Sequence, residues 1–208
     1  KLIVERDASL PDKVFSKTRL EKIVFPKTGI SSFGKGVWAY ASKLKEVVLT
    51  ASADANFLYE DGIVYNSDKT TAALPFQPNG VDIKHGVIDV ADYAFAGCNL
   101  MPRVSLSSDV KTIGKEAFAS CWSLTEFKVF SKNMPQLNGT NVFKGANVES
   151  CLLTVRAGSK MRFLNTAQWN DFANIVEFGT TIKARNQARE YGDENPKLTF
   201  TIIGDKVE

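Results

Sequence analysis

The chain has 208 residues, is 44% hydrophobic and 24% charged, and carries a formal net charge of +3. That is an ordinary globular make-up with room for one good core or two small ones. It lacks the concentrated basic stripe of a nucleic-acid binder, and no run of 18 apolar residues offers a membrane span. One histidine, His85, and three cysteines without a C-x-x-C pair exclude a zinc ribbon and a small disulfide scaffold. They also argue against a His-based metal site or a Ser/Cys–His pair. The chain opens on Lys1 rather than Met. It is therefore expected to be a processed or trimmed product, from which any targeting segment would have been lost.

In chain order, Leu2 and Val4 alternate as an early strand with an exposed edge. Ile23-Val24-Phe25 and Val47-Val48-Leu49 each follow a leucine by three positions, at Leu20 and Leu44. Inward–outward alternation over three residues predicts a short strand with one buried side. Between these strands, Ile30, Phe33, Trp38, Ala41 and Leu44 fall at offsets 0, 3, 8, 11 and 14. The same offsets recur at Val87, Val90, Phe95, Cys98 and Met101, and again at Val110, Ile113, Phe118, Cys121 and Leu124. Strands are predicted after each copy at Val104-Ser105-Leu106 and Phe127-Lys128-Val129. Val81-Asp82-Ile83 and Leu153-Thr154-Val155 look like further members.

This pattern is the signature of stacked repeats. One coil of about 23 residues cannot bury its own apolar side, but stacking turns each sequence column into a buried row. The predicted fold is a β-rich α/β repeat, a solenoid with one parallel sheet. Trp38, Phe95 and Phe118 are expected in one column, with Phe143 as a fourth member and Cys98 beside Cys121. All three cysteines, Cys151 included, are expected to be buried thiols, with a Cys98–Cys121 bridge as the alternative.

Residues 56–76 interrupt the repeat. Asp61-Gly62 is a tight-turn signal between residues 57–59 and 63–65, and a second turn at 66–69 precedes 71–74. This hairpin is expected to pack on or project from the solenoid. Residues 151–178 supply a last strand and a cap. Met161, Leu164, Trp169, Phe172 and Ile175 recur there at roughly helical spacing, and a solenoid end needs a cover. Residues 179–208 differ: turn chemistry at 191–196 precedes strand-like residues 198–203. That segment is too short to close a sandwich by itself.

The stretch from Val87 to Leu124 resembles the BspA-like leucine-rich repeats of bacterial surface proteins, especially those of Bacteroidetes. Residues 56–76 are similar to that family's hairpin insertion, and residues 151–178 to its terminal coil and cap. Val155-Arg156-Ala157-Gly158 departs from the family's Val-Pro-x-Gly. The resemblance covers residues 1–178, and residues 179–208 resemble the opening of an MBG-type domain. The resemblance implies a secreted or outer-surface location and an adhesion or protein-interaction role; no cofactor and no catalysis are expected from the residues.

Candidate chemistry is sparse. Gly34-Lys35-Gly36 is a lone G-x-G, for which a coil turn is the plainer reading than a phosphate loop. Asn138-Gly139-Thr140 matches a glycan acceptor, although not for a bacterial source. His85, beside Gly86, reads as solvent-facing, and Asp193-Glu194 as a solvated turn. No nucleophile–base pair is evident. What remains is surface. Alternation predicts outward rows at Lys22, Val24 and Pro26; Glu46, Val48 and Thr50; Arg103, Ser105 and Ser107; and Glu126, Lys128 and Phe130. These rows, with Tyr59, Asp61 and Tyr65 of the hairpin, are the candidate contacts for a protein or glycan on a host or neighbouring cell. The alternative is a structural spacer with no ligand of its own.

Overall fold

The computed structural model describes residues 1–4, 8–25, 30–48, 57–60, 63–66, 71–75, 80–179, 181–184 and 200–203. The chain winds as a parallel β-solenoid. Each coil lays down a strand in a first ladder, turns a corner, adds a short strand to a second ladder, and returns through a tight turn. The first ladder contains β1 (Leu2–Ile3), β3 (Lys22–Val24) and β5 (Glu46–Val48) in that order. It resumes with β9 (Val81–Ile83), β11 (Arg103–Leu106), β13 (Glu126–Val129), β15 (Leu152–Arg156) and β16 (Asn174–Phe178). The repeat length becomes strand register: Val81 pairs with Val104, Val104 with Phe127, and Phe127 with Leu153.

The second ladder was not foreseen; only one parallel sheet was expected. It contains β2 (Ala8–Leu10) paired with β4 (Ile30–Phe33), and β10 (Asp89–Val90), β12 (Thr112–Gly114) and β14 (Gln136–Asn138). Its strands are two to four residues long, and their buried residues Ile30, Val90 and Ile113 stand out in the sequence as repeat columns rather than as alternating strands.

The repeated A-F-A phrase builds the return turn. Successive turns bond backbone to backbone, as in Phe95 N–H to Ala117 O (2.7 Å) and Phe118 N–H to Val142 O (2.9 Å). Buried peptide groups are thereby satisfied between layers. Each turn carries two left-handed residues four apart: Lys13 and Lys17, Gly36 and Tyr40, Tyr93 and Gly97, Glu116 and Ser120, Asn141 and Gly145. Glycine is required where a neighbour crowds in. A Cβ on Gly97 would lie 2.4 Å from Tyr40 Cα, and one on Gly36 would lie 2.8 Å from Tyr93 Cβ.

The aromatic column is buried at Trp38, Phe95, Phe118 and Phe143. Phe118 stacks between Phe95 (5.0 Å) and Phe143 (5.9 Å). Trp38 stacks on Phe15 at 5.8 Å instead and belongs to a separate N-terminal cluster. The insertion creates this division. Its strands β6 (Phe57–Glu60), β7 (Ile63–Asn66) and β8 (Thr71–Pro75) join the second ladder in the order β10-β8-β7-β6. Phe57 of β6 meets Phe33 of β4, with ring centroids 5.4 Å apart.

The hairpin therefore neither packs on the solenoid nor projects from it. It lies within the wall, and β7 is buried on both sides: Val64 packs into the N-terminal cluster, Ile63 and Tyr65 into the C-terminal one. At the turns the two parts touch directly, Tyr40 N–H bonding to Ala96 O at 2.6 Å. On the second ladder they are held apart by three strands, roughly 14 Å at strand spacing. The insertion is a wedge.

The cap also differs from expectation. Its helix, α1 (Lys160–Leu164), has five residues. Met161 and Leu164 face solvent, while Phe163, Trp169, Phe172 and Ile175 close the core. The helical spacing was coincidental, because Trp169 and Phe172 lie on irregular chain after α1 and Ile175 lies on β16. Gln168 takes the place of a missing coil: its Oε1 accepts Val142 N–H (2.7 Å) and its Nε2 donates to Gly139 O (3.1 Å). The Glu177 carboxylate accepts the Lys160 N–H (2.7 Å), and that bond leads the interactions holding its pKa below the ordinary carboxylate value. Beyond the cap, β17 (Thr181–Ala184) pairs antiparallel with β18 (Phe200–Ile203).

Candidate functional site

The candidate site is the outward face of the first ladder. Alternation turns Ile23, Val47, Val104, Phe127 and Leu153 inward, which leaves their neighbours on the outer side. Lys22, Val24, Ser105, Glu126 and Lys128 are half-buried there, while Glu46, Val48 and Arg103 are exposed. The charges on this face are mutually engaged. Lys22 pairs with Glu46 (2.5 Å), Arg103 with Asp82 (3.2 Å) and Lys128 with Glu126 (2.9 Å). Exposed pairs of this kind contribute about 0–1 kcal/mol each; their main effect is to neutralise the face.

Two cap-side strands extend the face beyond the predicted rows. Leu152 on β15 (38% exposed) and Val176 on β16 (41% exposed) are apolar and outward. A groove of about 640 Å³ runs past both and is also lined by Leu164 and Lys160. Phe130, just after β13, and Phe178, at the end of β16, meet with ring centroids 5.0 Å apart. Arg156 sits on the strand between them, in register with Phe178. Sequence reasoning misses Leu152, Arg156, Val176 and Phe178 because they lie in the terminal strand and cap, outside the coils whose offsets repeat.

Several sequence expectations need correction. Tyr65 is 2% exposed and is unavailable to a ligand, because both sides of β7 are covered. The Tyr59 side chain and Asp61 lie outside the described residues, as do Pro26, Thr50, Asp193 and Glu194. Ser107 turns inward at the corner, where its Oγ donates to Lys84 O (3.0 Å) and its own carbonyl accepts from Ser131 Oγ (3.3 Å). Trp122 (64% exposed) and Leu100 (57% exposed) stand in return loops, where no alternation could flag them.

The remaining motifs resolve as structure. A Cβ on Gly34 would lie 2.5 Å from Asp12 N, and the Lys35 N–H donates to Asp12 Oδ1 at 2.7 Å. Gly114, Lys115 and Asp92 repeat this staple one coil pair later, at 2.5 Å and 2.9 Å. Burial works to raise the Asp92 carboxyl, but bonds from the Lys35 ammonium and Lys115 N–H outweigh it and hold its pKa low. His85 Nδ1 faces both Asp109 Oδ2 (3.2 Å) and Ser108 Oγ (3.5 Å). Both partners address one ring nitrogen, whereas a triad needs the serine on one nitrogen and the carboxylate on the other, so this set does not form one.

The cysteines are unbridged; Cys121 and Cys151 are buried and Cys98 half-buried. Burial pushes the Cys98 thiol up to about 12. The same effect, reinforced by the Glu126 charge, takes Cys151 to about 12. Such thiols are poor nucleophiles. Among the described residues, no group of three or more His, Cys, Asp or Glu could hold a metal, and no helix is long and apolar enough to cross a membrane.

Stacked 23-residue coils, an inserted hairpin and a capped end define a leucine-rich repeat solenoid. The chain belongs to the BspA type leucine-rich repeat family, six copies of which match residues 5–64 and 77–172. It is similar to the crystal structure of a leucine-rich repeat protein from Eubacterium ventriosum ATCC 27560, at 23% identity and a TM-score of 0.53. That match covers 68% of this chain and 37% of the other. A match to the pneumococcal vaccine antigen PcpA has 16% identity and a TM-score of 0.42, over 70% of this chain and 53% of that one. The chain thus spans between about a third and about half of these structures. No curated protein matches it.

Proposed function

We propose that the chain is a non-catalytic interaction module of a secreted or surface-attached protein, and that it binds a protein or glycan through the outward face of the first ladder. One observation carries this reading: the C-terminal end of that face displays exposed Leu152 and Val176 together with the half-buried Phe130–Phe178 pair. Exposed apolar groups gathered on one surface mark interaction sites. Solenoids commonly bind along such extended surfaces, and the repeat family favours interaction over catalysis. A surface location follows the same family habit.

The paired charges at Lys22–Glu46, Arg103–Asp82 and Lys128–Glu126 favour a second reading for the part of the face from β3 to β13, that of a spacer. The two readings separate in one experiment. The labelled chain is presented to a glycan array and to immobilised matrix proteins, beside a Leu152→Asp/Val176→Asp variant of equal stability. Binding that the variant loses supports the module. Binding to nothing in either panel moves the case to the spacer.

We also read residues 179–208 as the first strands of a further β-module of MBG type. The antiparallel β17–β18 pair supports this, and slow amide exchange confined to those two strands is the expected observation. Uniformly fast exchange there would remove the support.

A further inference from the structure

We infer that the C-terminal end of the first ladder docks an acidic segment of a partner protein, one carrying an apolar side chain beside its carboxylate, and that Arg156 reads the acid. This deepens the proposed face-binding role and rests on it.

The argument starts from charge. Lys22, Arg103 and Lys128 on the same face are each matched by a carboxylate. Among the described residues, Arg156 forms no ion pair, although it is exposed and outward on β15. The two acids near this end of the face are engaged elsewhere, Glu177 with the Lys160 N–H and Glu126 with Lys128. The Arg156 carbonyl accepts from Ser159 N–H (3.1 Å) and Ser159 Oγ (2.5 Å), which anchors the backbone under the side chain.

The surroundings supply the second half of the recognition. Phe130 and Phe178 flank Arg156 in strand order, and their rings meet at 5.0 Å with planes 62° apart. Val176 lies two residues along β16 from Phe178. The planar fork of a guanidinium matches a carboxylate with two parallel bonds. The neighbouring rings and Val176 would take an apolar side chain from the same segment. A polyanion such as a sulfated glycan or an acidic membrane asks instead for a run of unneutralised cations; among the described residues of β13, β15 and β16, Arg156 is the one outward cation without an ion pair, with Lys160 of α1 beside the groove.

The test selects a phage-displayed library of random 12-residue peptides on the immobilised full chain at low salt. Selected peptides should carry Asp or Glu within a few residues of Phe, Leu or Trp. Their synthetic versions should bind Arg156→Glu at least about tenfold more weakly and Arg156→Lys with an intermediate loss, while both variants keep the parent unfolding midpoint. Absence of any selected peptide, selected peptides without acidic enrichment, or undiminished binding by Arg156→Glu overturns the inference. So does a sulfated oligosaccharide that displaces the peptides and binds more tightly. If charge reversal at Lys22, Arg103 and Lys128 abolishes binding while Arg156→Glu does not, only this inference falls and the sheet-face reading stands. If no outward variant matters, both fall.

Discussion

Phe95 and Phe118, one repeat apart, stack with ring centroids 5.0 Å apart and planes 1° from parallel. Phe118 is fully buried and also packs edge-on to Phe127 at 5.1 Å. A single ring thus ties its own coil to the coil before and, through Phe143 at 5.9 Å, to the coil after. Phe118→Ala removes contacts in three layers at once. The expected loss is about 3–5 kcal/mol, read as a lowered denaturant midpoint. A midpoint unchanged within error would show that the column does not carry the core.

The left-handed turn positions give a paired prediction. Gly97 has φ +80°, and a Cβ there would press on Tyr40 Cα at 2.4 Å. Gly97→Ala should therefore destabilise by more than about 1 kcal/mol, the scale of left-handed strain alone. Ser120 holds the equivalent position in the next coil at φ 58°. Ser120→Gly relieves that strain and frees the unfolded chain, so the two effects offset within about 1 kcal/mol. Equal losses in the two variants would mean that backbone crowding is unimportant.

Gln168 closes the end of the turn column with a side-chain amide. Gln168→Ala strips partners from Val142 N–H and Gly139 O, costing about 1–3 kcal/mol. Gln168→Glu keeps the acceptor for Val142 but lacks the donor for Gly139, so an intermediate loss is expected. Hydrogen exchange at the Val142 amide reports the site directly. It should quicken in the alanine variant and stay slow in the glutamate variant.

Alkaline pH should loosen the fold through its thiols. Burial raises Cys98 and Cys151 from 9.0 to about 12, and raises Cys121 as well. Below pH 9 both folded and unfolded chains hold these thiols protonated, and their contribution to stability is complete. Between about pH 9 and 12 the unfolded chain ionises first, so that contribution is lost as pH rises. The unfolding midpoint should fall over this window, and less steeply in a Cys98→Ala/Cys151→Ala variant. Denatured but unreduced protein should take up three thiol labels per chain, in line with the unbridged cysteines.

Much of this architecture was legible in spacing alone. When coils have equal length, equal offsets land at equal places, so Val87, Phe95 and Met101 had to face the same way as Val110, Phe118 and Leu124. Alternation likewise determined that Val104 and Phe127 point inward and that Arg103 and Lys128 point outward. Both are local rules, enforced by backbone geometry within one turn of the solenoid.

What tertiary structure alone decided lies between segments that are distant in the chain or break the period. The 56–76 stretch read as a hairpin, but its place inside the wall depends on β8 finding β10 and on β7 being covered from both sides, which buries Tyr65. Ion pairing on the face depends on which strands become neighbours, so Lys22 meets Glu46 and Arg103 meets Asp82. Phe130 and Phe178, 48 positions apart in sequence, meet because β13, β15 and β16 stack in that order, with Arg156 on the middle strand. Such pairings are set by the stacking of whole coils, and no short-range pattern encodes them.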